Sequence, residues 1–379
     1  MKIKRYLVDS IKSDLKRKMV FVGGPRQVGK TTLALSFLKQ VSNKYPAYLN
    51  WDIPHHRKKI LKNQLPLSYK TLVLDEIHKF KKWRALMKGL YDEHHSSHSF
   101  MVTGSARLDH FSKGGDSLMG RYFYYRLHPF SLLEINKNPN RKDLKLLLKF
   151  GGFPEPFLSQ SPANWRKWQN NRNRQVIYED LRDLEKVKEI SLIDLLAESL
   201  PDKVGSPLSI NSLREDLESS HQSVSRWLSL LEALYLIFRI PPYGSPKIRA
   251  VKKENKLYFW DWSQVEKESS RFENLTASHL LKYCHYQQDT KGLKTELAYL
   301  RDTDKREVDF VVVRNKKILF AVECKTHSAD LSSHLSYFQN RLKIPKCFQV
   351  HLLDKDFGSP EKGGRSLSFT TFCKEILKI

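Results

Sequence analysis

A glycine-rich segment near the start of the chain has the residue types and spacing that bind phosphate groups. It runs GPRQVGKT from Gly24 to Thr31 and fits the pattern G-x-x-x-x-G-K-[ST]. Glycines let backbone N–H groups turn towards phosphates, and the N-terminus of a following helix adds its positive dipole end. We expect Lys30 to reach the β- and γ-phosphates of a nucleoside triphosphate and the Thr31 hydroxyl to ligate Mg²⁺. The predicted nucleotide-binding residues of this segment are Gly24, Pro25, Arg26, Gln27, Val28, Gly29, Lys30, Thr31 and Thr32.

An apolar run that ends in two carboxylates supplies the second half of such a site. Residues 71–74 (TLVL) read as a buried strand and are followed by Asp75 and Glu76. Asp75 would hold Mg²⁺ through water or through Thr31, and Glu76 would polarise the attacking water. Alone, this run is typical of an ordinary strand end. Together with the glycine-rich segment it predicts ATP hydrolysis, and adenine is favoured because the guanine-selective pattern N-K-x-D is absent from the sequence.

Three further polar residues are candidates for the same site. Residues 99–103 (SFMVT) form the next predicted strand, and parallel sheets bind ligands beyond the carboxyl ends of their strands. Thr103 or Ser105 would therefore sense the γ-phosphate, unless the strand is simply followed by a turn. Arg121 is a candidate arginine finger that would act across a subunit interface of a homo-oligomer. The alternative is that Arg121 is an ordinary surface residue with no role in the nucleotide site.

A second constellation near the C-terminus combines two carboxylates and a lysine. Asp309 lies in an apolar run, and Glu323-Cys-Lys325 begins fourteen residues later. Alternate residues of a strand share a face, so Glu323 and Lys325 would point the same way and Asp309 could join them from the neighbouring strand. Carboxylates suit Mg²⁺, and the lysine would orient water or offset charge at a phosphodiester. We therefore predict metal-dependent cleavage of a phosphodiester, in which all three residues are catalytic. Asp309 and Glu323 would be the metal ligands. Glu273 and Glu296 are further acidic candidates.

The alternative for this constellation is a domain that has kept the carboxylates as solvated strand-end charges and does not cut. The pattern D-x(14)-E-x-K is degenerate by itself. Two β-rich segments around it, and a predicted helix that carries Glu273 before it, favour the site.

The elements that must position these residues change along the chain. Short apolar runs alternate with helical or polar sequence in the first part, at 19–22, 47–50, 71–74 and 99–103. This alternation predicts an α/β fold with a parallel sheet. The sequence after about residue 141 is helical, short helices follow from 208 to 239, and a helix followed by β-rich segments is predicted from 256 onwards.

Six segments together resemble a large family of prokaryotic AAA-type ATPases: GPRQVGKTTLALSFL, TLVLDEIHKF, VTGSARL, SLMGR, LHPFSLLEI and GGFPEPFL. Proteins of that family carry a C-terminal domain of unknown function with a restriction-endonuclease-like fold, and the resemblance covers nearly the whole chain. It implies a P-loop AAA-type ATPase domain at 1–140, a helical lid or linker at 141–200, a winged-helix module at 201–255 and a nuclease-like α/β domain at 256–379. It also implies that Arg121 belongs to the nucleotide site and that the C-terminal carboxylates follow the PD-(D/E)xK nuclease signature.

The segment 209–242 looks like the winged-helix segment of that family. A turn at 219–221 separates two predicted helices, which suits a helix-turn-helix. The second helix would expose Ser223, Ser225 and Arg226, and a basic wing at 247–253 would lie over phosphates. The alternative is a module that packs against protein. The residues of the second helix that recur at helical spacing are predicted to be core: Trp227, Leu230, Leu231 and Leu234.

Composition limits the class of protein and its partners. The chain has 379 residues with 66 Lys and Arg against 41 Asp and Glu, a net charge of +25 that favours nucleic acid, DNA first, over an anionic membrane. Its four cysteines are far apart and form no C-x-x-C, which disfavours a zinc ribbon and a disulfide scaffold and fits a reducing compartment. No apolar signal core or membrane-length run is found in the sequence, so we expect a cytoplasmic protein that does not enter a membrane.

Three functions fit these features. The first is an ATP-hydrolysing enzyme coupled to DNA binding, with a C-terminal nuclease-type domain. The second is a nucleotide-dependent switch whose winged-helix and nuclease-like domains only bind, with a protein as its partner. The third is a small-molecule kinase, which the long basic C-terminal half of the chain disfavours.

Overall fold

The structure is a computed structural model that describes residues 3–38, 44–104, 118–181, 189–244, 254–326 and 331–379. Two compact units are present, Met1–His128 and Pro129–Ile379, and each is described by itself. Ser105 and the predicted basic wing at 247–253 lie outside the described residues. The finer division into four domains stays a prediction.

The first unit is built on a parallel sheet, which confirms the predicted α/β class. Its strands run in the order β2-β3-β4-β1-β5, and all of its neighbouring strands pair in parallel. Because the strands are parallel, their carboxyl ends meet at one edge of the sheet, where ligands bind in such folds. The strands are β1 (Met19–Gly23), β2 (Tyr48–Asn50), β3 (Thr71–Asp75), β4 (Ser99–Thr103) and β5 (Tyr122–Arg126).

Helices accompany this sheet, and β1, which lies between β4 and β5, is buried along its whole length. The helix that begins at Trp83 has its apolar side buried: Trp83, Met87 and Leu90 recur at helical spacing, and most of its other residues are polar. The helices of the first unit are α1 (Val8–Asp14), α2 (Lys30–Phe37), α3 (Pro54–Leu61) and α4 (Trp83–His94).

The second unit begins with one short helix before residue 141 and continues with helices in the region 141–200, where the sequence predicts them. Asn140 caps one of them, because its side chain accepts hydrogen bonds from the backbone N–H groups of Lys142 and Asp143. The helices are α5 (Leu132–Ile135), α6 (Arg141–Phe150), α7 (Pro154–Ser159), α8 (Pro162–Arg174), which continues into a π-helical segment (Gln175–Asp180), and α9 (Ile190–Ser199).

Two helices and a small antiparallel sheet follow. Ser220 caps the second helix by accepting a hydrogen bond from the backbone N–H of Ser223. The predicted core residues Trp227, Leu230, Leu231 and Leu234 are all buried. The order of elements is that of a helix-turn-helix followed by two strands, and the winged-helix interpretation stays a prediction. The elements are α10 (Ile210–Asp216), α11 (His221–Ala233), β6 (Ile237–Ile240) and β7 (Lys256–Phe259).

A long helix and a mixed six-stranded sheet complete the second unit. The sheet has the order β12-β13-β11-β10-β9-β8, with β8, β9 and β10 antiparallel and β10, β11 and β13 parallel. Helix α13 packs Leu335 and Phe338 into a core cluster with Val308 and Val311. The elements are α12 (Glu268–Lys291), β8 (Thr295–Arg301), β9 (Glu307–Arg314), β10 (Lys317–Cys324), α13 (Ser333–Leu342), β11 (Cys347–His351), β12 (Asp356–Ser359), β13 (Gly364–Ser368) and α14 (Phe369–Phe372).

None of the helices in the described part of the chain is both long enough and apolar enough to cross a membrane.

Candidate nucleotide site and C-terminal carboxylate cluster

The phosphate loop connects β1 to α2 through a backbone that needs glycine. Gly24, Gln27 and Gly29 have φ values of 146°, 61° and 96°. A Cβ on Gly24 would lie 2.4 Å from the carbonyl oxygen of Leu127, so a larger residue does not fit there. Lys30 is buried, and its Nζ donates hydrogen bonds to the carbonyl oxygens of Gly24 (2.9 Å) and Pro25 (2.6 Å). The loop therefore curls around the lysine that the sequence assigns to phosphate binding.

Asp75 is the centre of a hydrogen-bond network at the carboxyl edge of the sheet. It is 3% exposed, and its Oδ2 accepts hydrogen bonds from Thr31 Oγ1 (2.9 Å) and Tyr48 Oη (2.6 Å). Thr103 Oγ1 donates to Asp75 Oδ1. A hydroxyl and a carboxylate in contact, beside a phosphate loop, fit the protein ligands of a Mg²⁺ ion that is otherwise held by phosphates and water. Thr103 contacts Asp75, and its predicted role as a γ-phosphate sensor stays a prediction.

Tyr48 and its neighbour Asn50 were not predicted as site residues. Asn50 Nδ2 donates to Tyr48 Oη (3.1 Å), which in turn donates to Asp75. Burial and the Asp75 carboxylate raise the pKa of Tyr48, so the phenol remains a hydrogen-bond donor at neutral pH. The sequence predicts a strand that contains Tyr48, but the contact with Asp75 depends on the order of strands, in which β2 lies next to β3.

Glu76 lies directly after β3 in a left-handed conformation, with a φ of 56°. Its backbone N–H donates to the carbonyl of Thr103 (2.9 Å), which fixes the turn. Burial raises the pKa of Glu76, and Lys30 partly opposes this shift. His78 Nε2 is 3.6 Å from Glu76 Oε2. Because burial lowers the pKa of His78 to about 4, this histidine is a neutral neighbour of Glu76 at neutral pH.

Arg5, near the N-terminus, contacts the phosphate loop and was missed by the sequence reasoning. It is buried, and its guanidinium donates to the carbonyl of Val28 (2.8 Å) and to the carbonyl of His128. One side chain thereby joins the loop to the residue at which the first unit ends.

Arg121 lies at the opposite end of the sheet from the phosphate loop of its own chain. Its carbonyl accepts a hydrogen bond from Met19 at the start of β1, whereas the loop follows Gly23 at the end of β1. A strand of this length spans roughly 16 Å. Arg121 Nε and Nη2 donate to Asp92 Oδ1 (2.7 Å) and Oδ2 (3.2 Å). The predicted action of Arg121 on a nucleotide therefore requires a neighbouring subunit, and this stays a prediction.

A basic cleft of about 340 Å³ opens at this same amino edge of the sheet. No carboxylate is among its lining residues in the described part of the chain. The guanidinium of Arg17 and the ammonium of Lys18 lie 5.7 Å and 4.9 Å from the ring centre of Phe123, which orders both stems. The charged and titratable lining residues, which define the basic cleft, are Lys16, Arg17, Lys18, Lys70, His95 and His98.

The structure brings Asp309, Glu323 and Lys325 together, in line with the spacing argument. Asp309 Oδ2 accepts from the backbone N–H of Cys324 (2.9 Å), and Asp309 N donates to Glu323 Oε2 (3.4 Å). Lys325 Nζ is 2.9 Å from Glu323 Oε1. Burial and Asp309 raise the pKa of Glu323 to about 7. Burial alone would lower the pKa of Lys325, but the neighbouring Glu323 carboxylate has the larger effect and raises it.

Of the two further acidic candidates, Glu273 joins this group and Glu296 does not. Tyr258 Oη donates to Glu273 Oε1 (2.8 Å), and burial together with Asp309 raises the pKa of Glu273 to about 8. Glu296 is an exposed residue that pairs with Lys294 at 3.6 Å. It opposes Val313 in the sheet register, near the other end of β9 from Asp309.

Lys256 is the member of this group that sequence reasoning missed. It is 0% exposed, and its Nζ lies 2.6 Å from Glu307 Oε1, 3.2 Å from Asp309 Oδ1 and 3.4 Å from Glu273 Oε1. Burial alone would lower its pKa, but the three carboxylates raise it, so the ammonium is charged. These residues together, Lys256, Glu273, Glu307, Asp309, Glu323 and Lys325, are the carboxylate cluster.

Comparison with protein families divides the chain into three parts. Residues 16–136 match the model of an AAA domain, residues 141–266 that of a domain of unknown function (DUF8612), and residues 269–370 that of a domain of unknown function (DUF4143). Residues 16–136, most of which lie in the first unit, therefore match an AAA-type ATPase domain. No curated protein sequence matches the chain.

Solved structures give weaker likenesses. The RuvB Holliday junction branch migration motor of Thermotoga maritima is 16% identical over 62% of this chain and 87% of that chain, with a TM-score of 0.32. The Aeropyrum pernix Orc1 protein in complex with DNA is 13% identical over 73% of this chain and 94% of that chain, with a TM-score of 0.31. A Pyrococcus horikoshii signal transduction ATPase with numerous domains is 15% identical over 76% of this chain and 48% of that chain, with a TM-score of 0.29. At these scores the likenesses assign neither partner nor activity.

Proposed function

We propose that the protein is an ATPase whose hydrolysis is coupled to the binding of DNA. The observation that carries the proposal is the hydrogen bond of 2.9 Å between Thr31 and Asp75, which joins the two halves of the nucleotide site. The match of residues 16–136 to the AAA domain supports the same chemistry.

The residues of the site have separate tasks in this proposal. The backbone N–H groups of residues 24–29 and the Lys30 ammonium bind the phosphates, and Thr31 and Asp75 hold Mg²⁺. The ion, when bound with ATP, offsets the charge of the phosphate oxygens. Glu76 accepts a proton from the attacking water, and its raised pKa brings its basicity closer to that task.

The charge of the chain supports DNA as the partner. The net charge is +25, and the basic cleft concentrates part of it at one edge of the AAA domain, with no carboxylate among the described lining residues. Phosphate groups of a DNA backbone fit such a surface, and their binding would release counterions and depend steeply on salt.

Measuring ATP hydrolysis with and without duplex DNA, in Mg²⁺ and low salt, tests the proposal. We expect DNA to stimulate turnover and Lys30→Ala to abolish it. Lys58→Ala, a change at an exposed lysine of α3, is the matched control and should leave turnover without DNA unchanged. Turnover that DNA does not change would favour a protein partner instead.

Arg121 is proposed to act on the nucleotide of a neighbouring subunit. In a mixture of Lys30→Ala and Arg121→Ala chains, some sites would combine an intact phosphate loop with an intact arginine. Recovery of hydrolysis in the mixture, absent from either variant alone, is the expected result. A mixture as inactive as its components would contradict the role in trans.

A second candidate function is a nucleotide-dependent switch whose C-terminal domain binds a partner without cutting. Lys256 favours it, because a buried lysine lies among the carboxylates that metal-dependent cleavage would require. Cleavage by Asp309, Glu323 and Lys325 stays a prediction, tested by divalent-metal-dependent nicking that is lost in Glu323→Ala.

A further inference from the structure

The carboxylate cluster already contains a cation, the ammonium of Lys256. An ammonium has three N–H donors, and three carboxylates surround this one: Glu307 at 2.6 Å, Asp309 at 3.2 Å and Glu273 at 3.4 Å. The lysine comes from β7, whereas Glu307 and Asp309 come from β9 and Glu273 from α12. The side chain of Lys256 is 1% exposed, so water does not replace these contacts.

The two carboxylates that a divalent metal would need are each already paired with an ammonium group. Asp309 directs Oδ1 to Lys256 and Oδ2 to the backbone N–H of Cys324. Glu323 directs Oε1 to Lys325 and Oε2 to the backbone N–H of Asp309. Mg²⁺ requires oxygen ligands at about 2.0–2.1 Å and usually keeps several waters. The residues present do not fit a Mg²⁺ ion while Lys256 remains among them.

The cluster is also enclosed on the side of Glu273. Tyr258, two residues after Lys256 on the same face of β7, donates to Glu273 Oε1 at 2.8 Å. Gly205 has a φ of 82°, and a Cβ on it would lie 2.8 Å from Glu273 Oε2. In the described part of the chain, no group of three or more His, Cys, Asp or Glu side chains is arranged to hold a metal ion.

We propose that Lys256 is the resident cation of the carboxylate cluster, in the place that the PD-(D/E)xK signature gives to a divalent metal. The cluster then joins strand β7 to the C-terminal sheet through ion pairs, and it does not bind Mg²⁺ or Mn²⁺. The inference concerns the second unit alone and does not depend on ATP hydrolysis.

Mn²⁺ binding to the nucleotide-free 379-residue chain tests the inference by calorimetry or by electron paramagnetic resonance. Wild type and Asp309→Asn should bind Mn²⁺ identically. Lys256→Met should gain one equivalent of bound Mn²⁺ over wild type, and Lys256→Met combined with Asp309→Asn should lose it. Lys294→Met, which removes an exposed lysine from its pair with Glu296, is the matched control and should gain none.

Two results would overturn the inference. One is a Mn²⁺ ion that wild type binds and Asp309→Asn does not. The other is a folded Lys256→Met protein that gains no Mn²⁺, because the lysine would then not be what excludes the metal.

A second measurement does not require a variant at Lys256, whose loss leaves buried carboxylates unpaired. The thermal midpoint of wild type should be the same in EDTA and in Mn²⁺. Asp309→Asn should lower that midpoint equally in both conditions, because it removes an ion pair and not a metal ligand. Stabilisation of wild type by Mn²⁺ that is absent in Asp309→Asn would contradict the inference.

Discussion

The phenol of Tyr48 donates a hydrogen bond of 2.6 Å to the carboxylate of Asp75 on the neighbouring strand. The same carboxylate oxygen accepts from Thr31, so Tyr48 orients the group that is proposed to hold Mg²⁺. Tyr48 is a positioning residue in this scheme, since its contact is with Asp75 and not with the nucleotide.

Tyr48→Phe should raise the Mg²⁺ concentration needed for half-maximal ATP hydrolysis by roughly tenfold, because a hydrogen bond to a charged group contributes about 1.5–3 kcal/mol. Hydrolysis measured against Mg²⁺ at saturating ATP checks this. Tyr45→Phe removes a hydroxyl from the same domain and should have no effect. An unchanged Mg²⁺ dependence in Tyr48→Phe would show that Asp75 is held without it.

The pH dependence of hydrolysis should report Glu76. Burial raises the pKa of this carboxyl, and only its ionised form accepts a proton from water. The turnover number should therefore fall as the pH drops, and it should fall at a higher pH than an ordinary glutamate with a pKa of about 4.3 would give. Rates at saturating ATP across the acidic range measure this. Glu76→Gln should bind ATP without hydrolysing it, and a flat profile in wild type would contradict the assignment.

Gly24 and Gly89 form a matched pair of glycine substitutions in the AAA domain. Gly24→Ala places a Cβ 2.4 Å from the Leu127 carbonyl at a φ of 146°, and it should destabilise the domain by more than about 1 kcal/mol and weaken ATP binding. Gly89 lies inside α4, and outside its chain neighbours and the backbone of that helix no described atom lies within 4 Å of an added Cβ. Gly89→Ala should stabilise the domain by up to about 1 kcal/mol. Denaturant unfolding and ATP titration distinguish the two.

Charge reversal in the basic cleft should weaken DNA binding. The triple change Lys16→Glu, Arg17→Glu and Lys70→Glu should lower DNA affinity by roughly tenfold or more and reduce the salt dependence of binding by about one counterion per lost contact. Binding isotherms at several salt concentrations measure both quantities.

The control for the cleft is a second triple variant that changes the net charge by the same amount at another surface. Arg141→Glu, Lys142→Glu and Lys145→Glu reverse three exposed charges on α6. If both triple variants lose affinity equally, the loss comes from net charge and the cleft is not the DNA surface.

Acid should destabilise the second unit through His279. This histidine is buried, its Nε2 accepts from the backbone N–H of Leu132 (3.1 Å), and burial lowers its pKa from 6.5 to about 3. Between these values the unfolded chain binds the proton and the folded chain does not, so stability falls as the pH drops below about 6.5, by up to about 1.4 kcal/mol per pH unit.

His279→Gln should flatten this part of the stability profile, measured by denaturant unfolding at several pH values. His221→Gln, at an exposed position, should leave the slope as in wild type. An equal slope in His279→Gln and wild type would assign the acid sensitivity to other groups.

The nucleotide site could be predicted because its signals are local. The loop of residues 24–31 and the pair Asp75 and Glu76 each follow an apolar strand directly, so strand, turn and chemistry occur in one short stretch. Tyr48 was missed because nothing in its own stretch indicates its partner. Its position follows only from the order of strands, in which β2 lies next to β3.

The carboxylate cluster shows why partners that are distant in the sequence cannot be predicted from residue spacing. Asp309 and Glu323 lie on adjacent strands, so alternation along the strands predicts their meeting. Lys256 is 53 positions from Asp309, and its strand β7 pairs with β6 in a separate sheet, so no strand register predicts the contact. Strand β5 was missed for another reason: it lies at the edge of its sheet, and three of its four aromatic residues are only partly buried.

The two hydrogen bonds of Arg5 have a mechanical consequence. They attach the phosphate loop at Val28 and the chain at His128 to one guanidinium. Residue 129 follows by a covalent bond and begins the second unit. A change in the shape of the loop at Val28 would therefore be transmitted to the last residue of the first unit by the Arg5 side chain, in addition to the pairing of β1 with β5.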